Sequence, residues 1–300
     1  EYSHSNSVPY AEIAELTKIV KKFGGVYSTH LRNEKNDLEK SIKETISLTE
    51  ENKLNTLISH LKPFIGFEKN IKVARYLFDI LEQNINLNFD ISPLGESVAP
   101  LYSLLPEWAI RGNLENMLTK LKNQTAFLQI KAALPDFDLA SMVIASAPFN
   151  KYLIGKKLSD YAIEKQLSPK EAILHLMLAT SLRASIAMVN INLPIAEDML
   201  FDSHALVGSS SARLNNKTFN KYFELAEKRV GVTLENIIKK VTSLPAKKIG
   251  LRNSGVLKEG FFADIVLMKG YEVHHVLVNG GLSVENSKIK SVLSGRIIKK

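Results

Sequence analysis

The sequence contains no cysteine, which excludes disulfides and any thiolate chemistry and fits a cytoplasmic protein. It also lacks a long apolar run: SMVIASAP is the longest such stretch, far short of the ~20 residues that cross a bilayer, and reads as a buried strand. No membrane partner is expected. The first residue is Glu1, not methionine, and EYSHSNSVP resembles a loop and no signal peptide, so the chain reads as a piece of a longer product. Positive charge is in excess, at +8, yet it is not clustered: the lysines alternate with Glu and Asp along helices. Without interleaved aromatic and basic residues, that excess reads as solvated helix faces and not as a nucleic-acid surface. What is present is ordinary for a globular chain, with 45% hydrophobic and 23% charged residues over 300 positions. That length suffices for one large domain, alone or with a small partner domain.

From residue 10 onward the pattern alternates. AEIAELTKIVKKF (11–23) has apolar residues at helical spacing and leads into the strand GGVYSTH. NDLEKSIKETISLTEEN (36–52) is an amphipathic helix with Leu38, Ile42, Ile46 and Thr49 along one face, and the strand NTLISH follows. FEKNIKVARYLFDILEQN is again helical, before the strand INLNFDIS. Such alternation predicts an α/β fold with parallel strands, either a barrel or an open sheet. The strands end on His30, His60 and Asp90. In a (β/α)8 barrel the carboxyl ends of the strands form the active-site face.

Between 93 and about 200 the period breaks. SPLGESVAPLYSLLPEWAIRGN reads as irregular, MVIASAP and SIAMVNI as buried strands, and SPKEAILHLMLATSL as a helix with a Ser-Pro start. This segment is expected to be an insertion at the barrel mouth. HALVGSSS is a further strand, and two helices follow it. After Pro245, glycine turns and alternating residues predict a small antiparallel unit. The expected organisation is therefore a partial barrel over 1–246 and part of a β-sandwich over 247–300. His274 and His275, adjacent on a strand, are expected to point to opposite faces and not to chelate.

The blocks YSTHLRNE, SHLK, LLPEW, TSLPAKKIGL, GFFADIVLM and VLVNG resemble the amidohydrolase superfamily, and within it the N-acyl-D-amino-acid deacylases, or D-aminoacylases. The resemblance implies the later strands of a metal-dependent-hydrolase TIM barrel with an attached β-sandwich. It also implies one or two zinc ions at the barrel mouth and hydrolysis of the amide of an N-acyl amino acid. His30 and His60 then correspond to metal ligands. Lys62, placed by alternation on the same side as His60, could bind the substrate carboxylate. Arg32 is a second candidate for that role, or else a salt-bridge partner of Glu34 or another rim carboxylate.

The sequence departs from the family pattern at several points. Where the family carries the aspartate that moves protons to and from the metal-bound water, this chain has Ser210, too weak a base for the task. Losing a positioned base costs on the order of 10²–10⁴-fold in rate. The family's two tyrosines after the preceding strand are replaced by Ser92 and Leu94, and its His-Pro-Arg stretch is shortened to Arg213-Leu214-Asn215. No His-x-His pair occurs, and the resemblance makes the first strand here the family's fifth, so the early barrel strands are expected to lie outside this chain. The expected function is an impaired N-acyl-D-amino-acid hydrolase, completed by another chain or assembled as an oligomer. The alternative is a non-catalytic relative that keeps the scaffold for binding.

Overall fold

The computed structural model describes residues 8–81, 85–209 and 217–298. Helix α1 (Tyr10–Lys22), strand β1 (Val26–Thr29), helix α2 (Leu38–Asn52), strand β2 (Asn55–Ile58), helix α3 (Glu68–Asp79) and strand β3 (Leu87–Ile91) alternate as the periodicity predicts. In α2, Leu38, Ser41, Ile42, Thr45, Leu48 and Thr49 are buried along one face, and Lys53 in the left-handed region ends the helix. Thr49 then donates to Thr56 Oγ1 across 2.9 Å, fastening the helix to β2.

Strand β4 (Glu96–Pro100) follows, inside the segment expected to be irregular. It forms because it pairs antiparallel with a distant strand, a gain that local composition does not reveal. Next come helices α4 (Glu107–Ile110), α5 (Leu114–Lys122) and α6 (Gln124–Ala133), strand β5 (Met142–Ser146), helices α7 (Leu158–Lys165) and α8 (Pro169–Ala179), and strand β6 (Ser185–Val189). Strands β4, β6 and β5, in that order, make an antiparallel sheet. Helix α8 starts at Ser168-Pro169 as expected, with Glu171 accepting from the Ser168 backbone N–H at 3.0 Å. It buries Ala172, Ile173, Leu174, Leu176 and Met177 in a core shared with Met117, Ile144, Tyr161 and Ile186.

Helix α9 (Leu193–Met199) and strand β7 (Ala205–Val207) return the chain to the first sheet, whose order is β1-β2-β3-β7, parallel throughout. Helices α10 (Thr218–Glu227), α11 (Leu234–Lys239) and α12 (Ser243–Lys248) precede a second antiparallel sheet. That sheet contains β8 (Ile265–Lys269), β9 (Glu272–Val278), β10 (Gly281–Glu285) and β11 (Lys288–Ile289).

Alternation along the parallel strands decides which residues reach the helices. Ile58, Leu87, Phe89, Ile91 and Ala205 pack with Ile42, Phe78, Met199 and Tyr222 in one core. Burying each large side chain contributes about 1.5–3 kcal/mol. On the opposite face, Leu57, Ser59, Asp90, Leu206 and Gly208 line a cavity of about 330 Å³ with Pro245, Lys248 and Ile249. This sheet does not close. It is the α/β arrangement of a partial barrel, with β1 and β7 as its outer strands among the described residues.

The histidine pair on β9 corrects an expectation. The β8–β9 register shifts between Leu267 and Met268, which pair with His275 and Val273. His274 is the extra residue of that bulge, and a bulge interrupts strict alternation. The two imidazoles come together, with Nδ1 atoms 2.7 Å apart, instead of pointing to opposite faces.

Candidate metal centre

The chain leaves β1 at His30 and β2 at His60, and the two rings meet above the strand ends. Their Nε2 atoms are 3.3 Å apart and the ring centroids 4.0 Å, with planes tilted by 55°. Desolvation, followed by the neighbouring His60, pushes the His30 imidazole down to about 4, so it is neutral at pH 7. A neutral imidazole is the form a metal binds.

The donors fit a metal in chemistry and spacing. Zinc takes imidazole nitrogens at ~2.0–2.1 Å in tetrahedral geometry, which separates two such nitrogens by about 3.4 Å. The observed Nε2 separation is close to that value. Among the described residues no further His, Cys, Asp or Glu joins the pair to make a group of three. His30 and His60 thus offer two imidazole donors at a spacing that suits a metal.

His60 does not continue β2. Its φ is +44°, in the left-handed region, where a non-glycine residue costs of order 1–3 kcal/mol. The turn means that alternation cannot be the reason His60 and Lys62 face the same way. What they share is Glu34, which is 4% exposed. Its carboxylate lies 3.1 Å from the Lys62 ammonium and 3.3 Å from His60 Nδ1. The second approach is electrostatic and not aligned as a hydrogen bond. With Nδ1 on the Glu34 side, Nε2 is the atom that faces His30.

Arg32 turns away from this cluster. Its Nε donates to both Glu44 oxygens, at 2.8 and 2.9 Å, which ties the β1–α2 loop to α2. Arg32 is thus held in an ion pair with Glu44 of α2. Ser92 and Leu94 line a small cleft with His60, Lys62, Glu96 and Ile191, and the Ser92 hydroxyl is buried there without a hydrogen-bond partner. Ser210 and the Arg213-Leu214-Asn215 stretch lie outside the described residues, which resume at Lys217.

Residue-by-residue reading of the sequence named two further members of this cluster without giving them a place in it. Glu34 lies within the YSTHLRNE block, four positions beyond His30, but nothing local distinguishes it from a surface carboxylate. Asp90 carried a positional signal, being as far beyond His60 as His60 is beyond His30. Its Oδ1 accepts the His60 backbone N–H at 3.0 Å. Burial pushes the Asp90 carboxyl above the usual range, opposed by that same hydrogen bond.

Residues 175–300 match the amidohydrolase family. A D-aminoacylase of Alcaligenes xylosoxydans xylosoxydans is 21% identical over 314 aligned positions, covering 96% of this chain and 57% of that protein. A solved D-aminoacylase with a binuclear metal centre superposes at a TM-score of 0.71 and 19% identity, covering 97% of this chain and 60% of its own. The N-acyl-D-glutamate deacylase of Bordetella bronchiseptica, solved with zinc and a phosphonate inhibitor, does so at 0.66 and 18%, covering 92% of this chain and 56% of its own. The chain thus spans a little over half the length of these relatives. The chain has the fold of the solved D-aminoacylases, and its residues 175–300 are similar to the amidohydrolase family.

Proposed function

We propose that this chain is the later part of a metal-dependent hydrolase acting on the amide bond of N-acyl-D-amino acids, with activity weakened by the replacement of the general base at Ser210. The observation that carries this reading is the pair of imidazole nitrogens 3.3 Å apart at the ends of β1 and β2. His30 and His60 hold zinc in it, and further ligands come from outside the described residues. Bound zinc supplies Lewis acidity toward the scissile carbonyl and acidifies an attacking water. Glu34 directs the His60 ring, and Lys62 is the group positioned for a substrate carboxylate once it leaves Glu34.

That last requirement, together with Ser210, favours a second reading: a non-catalytic relative that retains the scaffold for binding. In the described structure the Lys62 ammonium is already engaged by a buried carboxylate. The test is expression of the longest natural reading frame, followed by measurement of bound zinc and of D-amino acid release from N-acetyl substrates, with Ser210→Asp alongside. The hydrolase reading expects stoichiometric zinc and slow turnover, raised by Ser210→Asp by on the order of 10²-fold or more. Protein that is metal-free and inert in both forms overturns the hydrolase reading.

A further inference from the structure

We infer that Asp90 is a positioning residue for His60: its carboxylate holds the His60 backbone in the left-handed turn that brings the ring against His30. The inference rests on the reading of His60 as a metal donor, but its geometric part stands apart from the metal. An extended strand would carry the chain straight past position 60. Instead φ there is +44°, and the amide that the turn exposes donates to Asp90 Oδ1 at 3.0 Å. The Ser59 hydroxyl supports the same carboxylate. The next amide, Leu61 N–H, donates to the Asp90 backbone carbonyl at 2.8 Å. One residue at the end of β3 thus takes two consecutive amides from the end of β2, one with its side chain and one with its main chain.

Room for this carboxylate is made from the other side. Gly208, just beyond β7, donates its N–H to the Ile91 carbonyl at 2.9 Å, so β7 lies close against the end of β3. A Cβ built on Gly208 would come within 2.1 Å of Asp90 Oδ1. No side-chain rotation at 208 relieves that, because the clash is with Cβ itself. Glycine at 208 and the carboxylate at 90 are therefore one device, spanning β2, β3 and β7. Its output is the orientation of His60, fixed at the backbone by Asp90 while Glu34 lies against the ring.

Because Asn keeps an oxygen acceptor of the same reach, Asp90→Asn is expected to preserve the turn, whereas Asp90→Leu, which offers no acceptor, removes it. Gly208→Ala should displace the carboxylate while leaving Asp90 in the sequence. The test uses the longest natural reading frame, first metal-free and then titrated with zinc alone. The metal-free readout is the His30–His60 ring contact and the His60 φ, by NMR or crystallography. Asp90→Asn should retain both, with zinc affinity within about threefold of the parent. Asp90→Leu and Gly208→Ala should lose the ring contact, relax φ at 60 to a negative value, and weaken zinc by on the order of 10–100-fold.

Should Asp90→Leu not fold, Gly208→Ala alone decides. An unchanged turn and ring contact in a folded Asp90→Leu or Gly208→Ala protein overturns the inference. Loss of the turn in Asp90→Asn as severe as in Asp90→Leu also overturns it, since the acceptor oxygen would then not be the cause. If the parent protein binds no zinc, the metal reading of His60 falls, and the metal-free readout still decides the role of Asp90.

Discussion

At the scale of single residues, Glu34 is the side chain on which the candidate centre turns. Its carboxylate is almost completely buried and serves both the Lys62 ammonium and the His60 ring. Removing the charge takes from Lys62 its buried carboxylate partner in a largely desolvated place. Glu34→Gln is therefore expected to lower stability by about 1–3 kcal/mol, read as a shift in urea midpoint at constant slope. Adding Lys62→Met should recover most of that loss, since removing both partners of a buried pair is far less costly than removing one. A double variant no more stable than Glu34→Gln alone would show that the pair does not account for the effect. Sequence supplied Lys62, His30 and His60 but not this link. Glu34 meets them only because a turn at His60 and the loop after His30 converge, and neither is written in local composition.

At the scale of elements, ion pairs between helices carry a pH dependence whose sign is fixed. Asp198 on α9 accepts from Arg75 on α3 and from Arg229 beyond α10, each at 2.7 Å. These contacts, the Arg229 hydrogen bond foremost, hold its carboxyl below the ordinary carboxylate range. A depressed carboxyl stabilises the fold above its unfolded pKa of about 3.9 and loses that contribution as pH falls through the lower folded value. Asp198→Asn should cost up to about 1 kcal/mol near neutrality, because the groups are partly exposed. Thermal unfolding should show the difference from the parent vanishing as pH falls through the depressed folded value of Asp198; a constant difference across that range would exclude the mechanism. The same scale exposes where periodicity fails. The α2 stripe and the Ser-Pro start of α8 are local, and they appear in the structure as read. Strand β4 and the β9 bulge are decided by pairing with β6 and β8, which local sequence does not encode.

For the whole molecule, the consequence of an unclosed parallel sheet is uneven protection. Strands β2 and β3 are bonded on both sides, while β1 and β7 are each bonded on one among the described residues. Amide hydrogen exchange in the chain of residues 1–300 should therefore be slowest in β2 and β3 and faster in β1 and β7. Uniform protection across all four would mean that the outer edges are covered, as they would be by pairing between copies or with another polypeptide. The antiparallel sheet of β4, β5 and β6 has its own core around Ile173, Leu174 and Ile186, so β5 and β6 should form a separately protected unit.

By itself the sequence determined the alternating elements, the class of the parallel sheet, the resemblance carried by YSTHLRNE and SHLK, and the placement of His30, His60 and Asp90 at strand ends. These follow from hydrophobic period and from motif blocks, which are properties of neighbours along the chain. Tertiary structure alone decided that His30 and His60 face each other, that Glu34 and not Arg32 joins them, and that the left-handed turn at His60 is bonded to Asp90. Those are contacts between the ends of different strands. They depend on the register of β1, β2, β3 and β7, and register is set by the summed burial of a whole sheet rather than by any residue that takes part in the site.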